Sequence, residues 1–132
     1  MRPEPAGATA TAIVRLECPR ALRDSLRLSV SLHRADGTRV GNAHRTIAAG
    51  AKGDTVVAVK VRLASFDWWS PDSPVLTRAS VSATCGSETH VREVTFGMRS
   101  IEARDGDFYL NGKPYTVIGS NMVGEWQWRS AY

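Results

Sequence analysis

Eight consecutive residues, Leu26–His33, alternate apolar and polar without a break. Leu26, Leu28, Val30 and Leu32 fall on one side; Arg27, Ser29, Ser31 and His33 fall on the other. Successive side chains of a strand point to opposite faces, whereas a helix would mix these Leu, Arg and Ser residues on one face. The segment 25–34 is therefore a half-buried strand, and any fold must supply a second layer against its apolar face. The same period runs through Thr11–Cys18, with Ala12, Val14, Leu16 and Cys18 opposed to Arg15 and Glu17. It recurs in Thr55–Leu63, with Val57, Val59, Val61 and Leu63 inward and Lys60 and Arg62 outward. Weaker strands are expected at Arg39–Ile47, at Val75–Cys85 (Ala79, Val81 and Ala83 inward) and at His90–Phe96. Between them lie turn signals: Ala35-Asp36-Gly37-Thr38, the Gly50 and Gly53 loop of 48–54, the loop 64–74 with Pro71 and Pro74, and Gly86–Glu88. Six or seven short strands so spaced predict an all-β chain, an immunoglobulin-like β-sandwich over 9–97. Residues 1–8, rich in Pro, Gly and Ala, read as a disordered lead-in.

Residues 98–132 read differently. Met98–Ala103 is extended, Asp105-Gly106-Asp107 is a turn, and Phe108-Tyr109-Leu110 is a short strand. Asn111-Gly112 is a two-residue hairpin signal, and Lys113–Gly119 is expected as a strand. Val117 and Ile118 put apolar groups on both of its faces, the habit of a strand buried on two sides.

Charge and cysteine content narrow the function. Lys and Arg number 17 against 13 Asp and Glu, a net charge of +4. The arginines (Arg15, Arg23, Arg34, Arg45, Arg62, Arg78, Arg92, Arg104) are scattered among apolar strand residues rather than clustered, so no nucleic-acid footprint is expected. No apolar run is long enough for a membrane-spanning helix, and the first dozen residues lack a signal-peptide core. Cys18 and Cys85 show no metal-ligand spacing; they read either as a disulfide or as two buried thiols. His33, His44 and His90 are widely separated and read as surface histidines. Asp105-Gly106-Asp107 lacks the further oxygen ligands of a calcium loop, and Ser70 and Ser120 lack a nucleophile elbow. No metal and no cofactor is expected.

Two segments carry a family resemblance. "DWWSPDSPVL" at 67–76 resembles the Trp-Ser-Pro-x-x-Pro-x-Leu corner of family 2 glycoside hydrolases (β-galactosidases, β-glucuronidases and β-mannosidases). "FGMRSIEARDGDFYLNGKPYTVIGSNM" at 96–122 resembles that family's joint between its sandwich domain and its catalytic (β/α)8 barrel. The sequence differs from the family pattern at Thr77, Ile118 and Val123, where Tyr, Arg and His are common.

The resemblance implies that residues 98–132 are the joint hairpin and first strand of a truncated barrel. Trp68, Trp69, Pro71, Pro74, Phe96, Gly97, Arg99, Asn111 and Gly112 would then form the structural joint. It also implies a parent enzyme that hydrolyses O-glycosidic bonds with retention. Retention needs two carboxylates about 5–5.5 Å apart, in this family two Glu on later barrel strands. No catalytic residue is therefore expected here. Asn121, Glu125, Trp126 and Trp128, on the loop after the first barrel strand, are the candidate substrate-binding residues, because barrel enzymes build their sites on such loops. The implied partners are the parent's catalytic barrel, carbohydrate through the parent, and a second copy of this chain through 98–132. The other reading of the residues is an independent carbohydrate-binding module.

Overall fold

The alternating segments form strands in the computed structural model, which describes residues 8–18 and 20–119. Residues up to Met98 make one compact unit and those from Arg99 a second. The first holds β1 (Thr9–Cys18), β2 (Leu26–His33), β3 (Arg39–Ile47), β4 (Gly53–Arg62), β5 (Thr77–Cys85) and β6 (Glu88–Phe96). They form two sheets, β1-β4 and β3-β2-β5-β6, with every pairing antiparallel. The described chain is all-β, and the two sheets of the first unit are arranged as a sandwich. No described helix is long and apolar enough to cross a membrane.

The core is the set of inward rows. Leu26, Leu28, Val30 and Leu32 of β2 pack with Val57, Val59 and Val61 of β4 and with Leu63; all are buried. Val40 joins them because the β2–β3 register shifts after Leu32, so that the bulged strand presents one more residue than its partner. One flank of the sandwich is stitched across the sheets. Gly41 bridges Leu63, the Ala64 amide donates to the Val40 carbonyl at 2.8 Å, and Arg45 Nη1 donates to the Ala58 carbonyl at 3.2 Å. A Cβ on Gly41 would stand 2.7 Å from the Arg62 carbonyl oxygen, so the residue there must be glycine for the sheets to meet.

The hairpins follow turn chemistry. At 34–38 the Gly37 amide donates to the Arg34 carbonyl and Gly37 takes φ 87°, a three-residue loop ending on a left-handed glycine. The β5–β6 loop is shorter than the Gly86–Glu88 turn expected. Gly86 (φ 58°) and Ser87 suffice, and β6 starts at Glu88. The strand β4 likewise starts two residues before Thr55. Residues 1–7 of the expected lead-in lie outside the described residues. Ala8 is not lead-in: its carbonyl accepts from the Leu63 amide at 2.9 Å and extends the β1–β4 ladder.

The second unit is a three-stranded meander of β7 (Ile101–Arg104), β8 (Asp107–Leu110) and β9 (Lys113–Pro114). Asp105 and Gly106 (φ 54° and 87°) and Asn111 and Gly112 (φ 54° and 73°) are two-residue turns with both residues left-handed, the conformation that matches strand twist. The Lys113–Gly119 strand is not formed over its expected length. β8 offers only four residues, and once the Tyr115 amide has donated to the Phe108 carbonyl no backbone remains to pair with 116–119. Val117 and Ile118 are accordingly exposed.

Asn111 does more than accept a left-handed backbone. Its amide donates to the Ser100 carbonyl at 2.9 Å, and its Oδ1 accepts from the Ser100 amide at 3.0 Å. Asn111→Ala removes that acceptor and adds left-handed strain, costing about 2 kcal/mol of local stability. Faster hydrogen exchange at the Ser100 amide is the expected signature, with Asn111→Asp close to wild type.

Candidate functional site

The loop 64–76 and the 34–38 hairpin meet at one end of the sandwich. Arg34 Nη2 donates to Ser65 Oγ at 3.1 Å, and Arg34 Nε lies 3.0 Å from Asp67 Oδ2, an ion pair without hydrogen-bond alignment. Around them Arg34, Ala35, Asp36, Asp67, Val75, Leu76 and Thr77 line a cleft of about 190 Å³, below the roughly 300 Å³ at which small-molecule sites usually begin. Asp36 Oδ1 accepts from the Thr38 amide at 2.8 Å. That bond, helped by the Arg34 charge, lowers the Asp36 pKa below the ordinary aspartate value. Its stabilising effect is present at neutral pH and lost as pH falls through the lowered pKa. A carboxyl held ionised in this way is a poor general acid.

The Trp corner is built from the chain outward. Ser70-Pro71-Asp72-Ser73 closes on itself, each serine amide donating to the other's carbonyl at 3.0 Å and Ser70 Oγ accepting from the Ser73 amide at 3.2 Å. Pro71 takes the second turn position, which its fixed φ favours, and both Pro71 and Pro74 are exposed. Trp68 packs edge-on against Phe66 at 4.8 Å between centroids. Trp69 donates its amide to the Met98 carbonyl at 2.8 Å and its side chain abuts Gly97, where a Cβ would come within 2.4 Å of Trp69 Cγ. Phe96 and Met98 pack onto the core beside it. This corner thus fixes the end of β6 through Trp69, Gly97 and Met98.

In the second unit Arg99 is exposed, Asn111 and Gly112 form the turn already described, and Arg104 lies over the Tyr109 ring at 4.2 Å. Asn121, Glu125, Trp126 and Trp128 lie outside the described residues, as does Ser120. His44 and His90 are exposed, but His33 is only half exposed and its Nδ1 is buried with no partner among the described residues. Cys18 and Cys85 are free thiols, and Cys85 Sγ approaches the Asp24 carbonyl at 3.5 Å. Among the described residues no His, Cys, Asp or Glu cluster could hold a metal ion. The cleft at Arg34 and the burial of Thr77 were not anticipated from the sequence; the parity of β5, which puts Thr77 on the row of Ala79, was the one signal that could have found the latter.

The sequence profile described as "Glycosyl hydrolases family 2" matches residues 1–99, three quarters of the chain. The chain belongs to glycosyl hydrolase family 2. A family relative, the β-galactosidase of Photobacterium profundum, is 31% identical over 70 residues, which are 52% of this chain and 7% of that protein. The fold is shared with a putative β-galactosidase from Bacteroides fragilis (TM-score 0.72, 20% identity, 84% of this chain and 17% of that one). It is also shared with Bacteroides uniformis β-glucuronidase 2 (TM-score 0.69, 21% identity, 88% and 15%). This family 2 chain therefore spans less than a fifth of these relatives' length.

Proposed function

We propose that this chain is a non-catalytic, immunoglobulin-like domain of a larger family 2 glycoside hydrolase, with 98–132 serving as the joint to its catalytic barrel and the barrel's first strand. The match to the family over 1–99, in proteins roughly five to seven times longer by the shares just given, is the observation that carries this reading. In the parent, two Glu of the barrel would hydrolyse O-glycosidic bonds with retention, the two-carboxylate chemistry that such hydrolysis requires. The sandwich would brace that barrel, and the Trp69–Gly97 corner would hold the strand leading to the joint. Asn121, Glu125, Trp126 and Trp128 are proposed to line the parent's substrate site. The apolar face of β7–β9, with Ile101, Phe108 and Tyr115 exposed, suits burial against the barrel or, in its absence, a second copy.

The test is hydrolysis of p-nitrophenyl β-galactoside and β-glucuronide by the purified chain. No release above buffer is expected. Turnover that scales with the chain and vanishes in Glu125→Gln would overturn the non-catalytic assignment.

A further inference from the structure

Asn111-Gly112 is a reactive pair of residues held in an unreactive shape. Of the three asparagines, Asn42, Asn111 and Asn121, only Asn111 precedes a glycine. Glycine carries no Cβ, so its backbone nitrogen is unshielded from the side-chain amide carbon before it. That nitrogen can attack Asn111 Cγ and close a five-membered imide, a succinimide. The new bond joins Gly112 N to Cγ, the Gly112 amide gives up its proton, and the side-chain nitrogen leaves as ammonia. Water then opens the ring at either carbonyl. Opening at Cγ gives aspartate. Opening at the α-carbonyl gives isoaspartate, whose main chain runs through Cγ. One water is consumed and one ammonia released, with no oxidant or reductant.

The folded turn blocks the first step. Asn111 has φ 54°, in the left-handed region where ψ lies at about +47°. Such a ψ sets the Gly112 nitrogen nearly anti to Asn111 Cβ, whereas ring closure needs the two nearly eclipsed. The Ser100 amide, donating to Oδ1 at 3.0 Å, polarises the side-chain carbonyl and would stabilise an oxyanion there. That help is idle while the nucleophile points away, because the reacting atoms must first meet. The same bond, with the Asn111 amide on the Ser100 carbonyl at 2.9 Å, pins the residue. Rotation about ψ of Asn111 must also swing β9 off β8. What resists is short: β9 pairs at Lys113 and Pro114, extended by the Tyr115 amide on the Phe108 carbonyl at 2.8 Å. So small a ladder opens far more readily than the core.

The two products differ in what they restore. Aspartate keeps a side-chain oxygen for the Ser100 amide. Isoaspartate turns Cγ and its oxygen into main chain and puts one extra carbon between β8 and β9. The Ser100 bond and the two-residue turn then cannot both re-form.

We propose that Asn111 is a modification site, deamidated through a succinimide when β9 detaches from β8, and that its isoaspartate product holds the β7–β9 meander open.

The full chain is incubated in mildly alkaline buffer, either folded or unfolded in guanidinium chloride. Amide-to-acid conversion is located by fragment mass spectrometry, and isoaspartate by labelling with an isoaspartyl methyltransferase. Asp105-Gly106 can isomerise too, but without a change of mass, so the mass gain at this turn reports Asn111. Conversion should be at least tenfold slower in the folded chain than in the unfolded one. Ser100→Pro removes the donor to Oδ1 and should speed conversion in the folded chain about tenfold, the effect of losing one hydrogen bond. Should that variant not fold, a denaturant series below the unfolding of the sandwich gives the same answer: conversion and exchange at the Ser100 amide should rise together. In the purified isoaspartate form the Ser100 amide should exchange as in an unfolded chain while β2 stays protected, and the aspartate form should match the untreated chain. Equal rates in folded and unfolded chains, faster conversion when folded, or an isoaspartate form with Ser100 still protected would overturn the proposal.

Discussion

Gly97→Ala lowers the stability of the sandwich by about 3 kcal/mol, although the substitution adds a single methyl group. Replacing a glycine in extended structure by alanine ordinarily stabilises, by about 0.5–1 kcal/mol, because the unfolded chain loses freedom. Here the new Cβ would stand 2.4, 2.6 and 2.7 Å from Cγ, Cβ and Cδ1 of Trp69. None of these is the far end of a flexible side chain. The Trp69 backbone is tied to Met98 one residue away by the 2.8 Å hydrogen bond, so relief requires the corner to move as a body. Overpacking of this kind costs about 1–3 kcal/mol, and the fixed indole puts Gly97 at the upper end. Urea unfolding should show a lower midpoint with an unchanged slope. Trp69→Ala costs a similar amount through the void it leaves, and the double variant should be no less stable than Trp69→Ala alone, since the clash disappears with the ring. A stabilising Gly97→Ala, or strict additivity with Trp69→Ala, would remove the corner from the account of how β6 is held.

Legibility in the sequence tracked the distance over which each feature is decided. β2 and the inward set of β4 are set by alternation within ten residues and needed no knowledge of partners. The left-handed turns at Asp105-Gly106 and Asn111-Gly112 are equally local, because the residue types alone make positive φ cheap. β9 failed for the opposite reason. The run from Lys113 to Gly119 has strand composition, but a strand exists only as far as a neighbour can pair with it, and β8 ends too soon. The Arg34–Asp67 pair joins residues thirty-three positions apart, so no window along the chain could reveal the cleft they line. The half-buried His33 lies on the polar side of β2, where alternation alone calls for exposure, and its neighbours in β3 and β5 decide otherwise. Gly97 was legible as part of a family segment, yet its reason, the indole against its α-carbon, is a tertiary contact. The candidate substrate-binding residues rest on resemblance throughout, since they lie outside the described residues and the role proposed for them depends on a barrel that is itself part of the proposal.

Leu28→Ala should cost about 3–4 kcal/mol, near the middle of the range for a fully buried leucine. Leu28 is 0% exposed at the centre of β2 and sits between β3 and β5 in the four-stranded sheet. Its cross-strand neighbour on β5 is Ala83, which has no length to give, and the facing row of β4 is β-branched valine held to few rotamers. The cavity therefore cannot close by side-chain rotation, and the cost should exceed that of simply transferring the lost carbons to water. For a unit of this size each kcal/mol moves the melting temperature by roughly 4–8 °C, so the transition should fall by well over 10 °C. Ile13→Ala supplies the contrast. Ile13 is 75% exposed on the outer face of β1, and its truncation should change stability by less than about 0.5 kcal/mol. Two large aliphatic side chains on strands of one sandwich would thus differ several-fold in cost. A Leu28→Ala loss as small as that of Ile13→Ala would mean that the inward row of β2 is not the centre of the core, and that the packing of the two sheets around it is wrong.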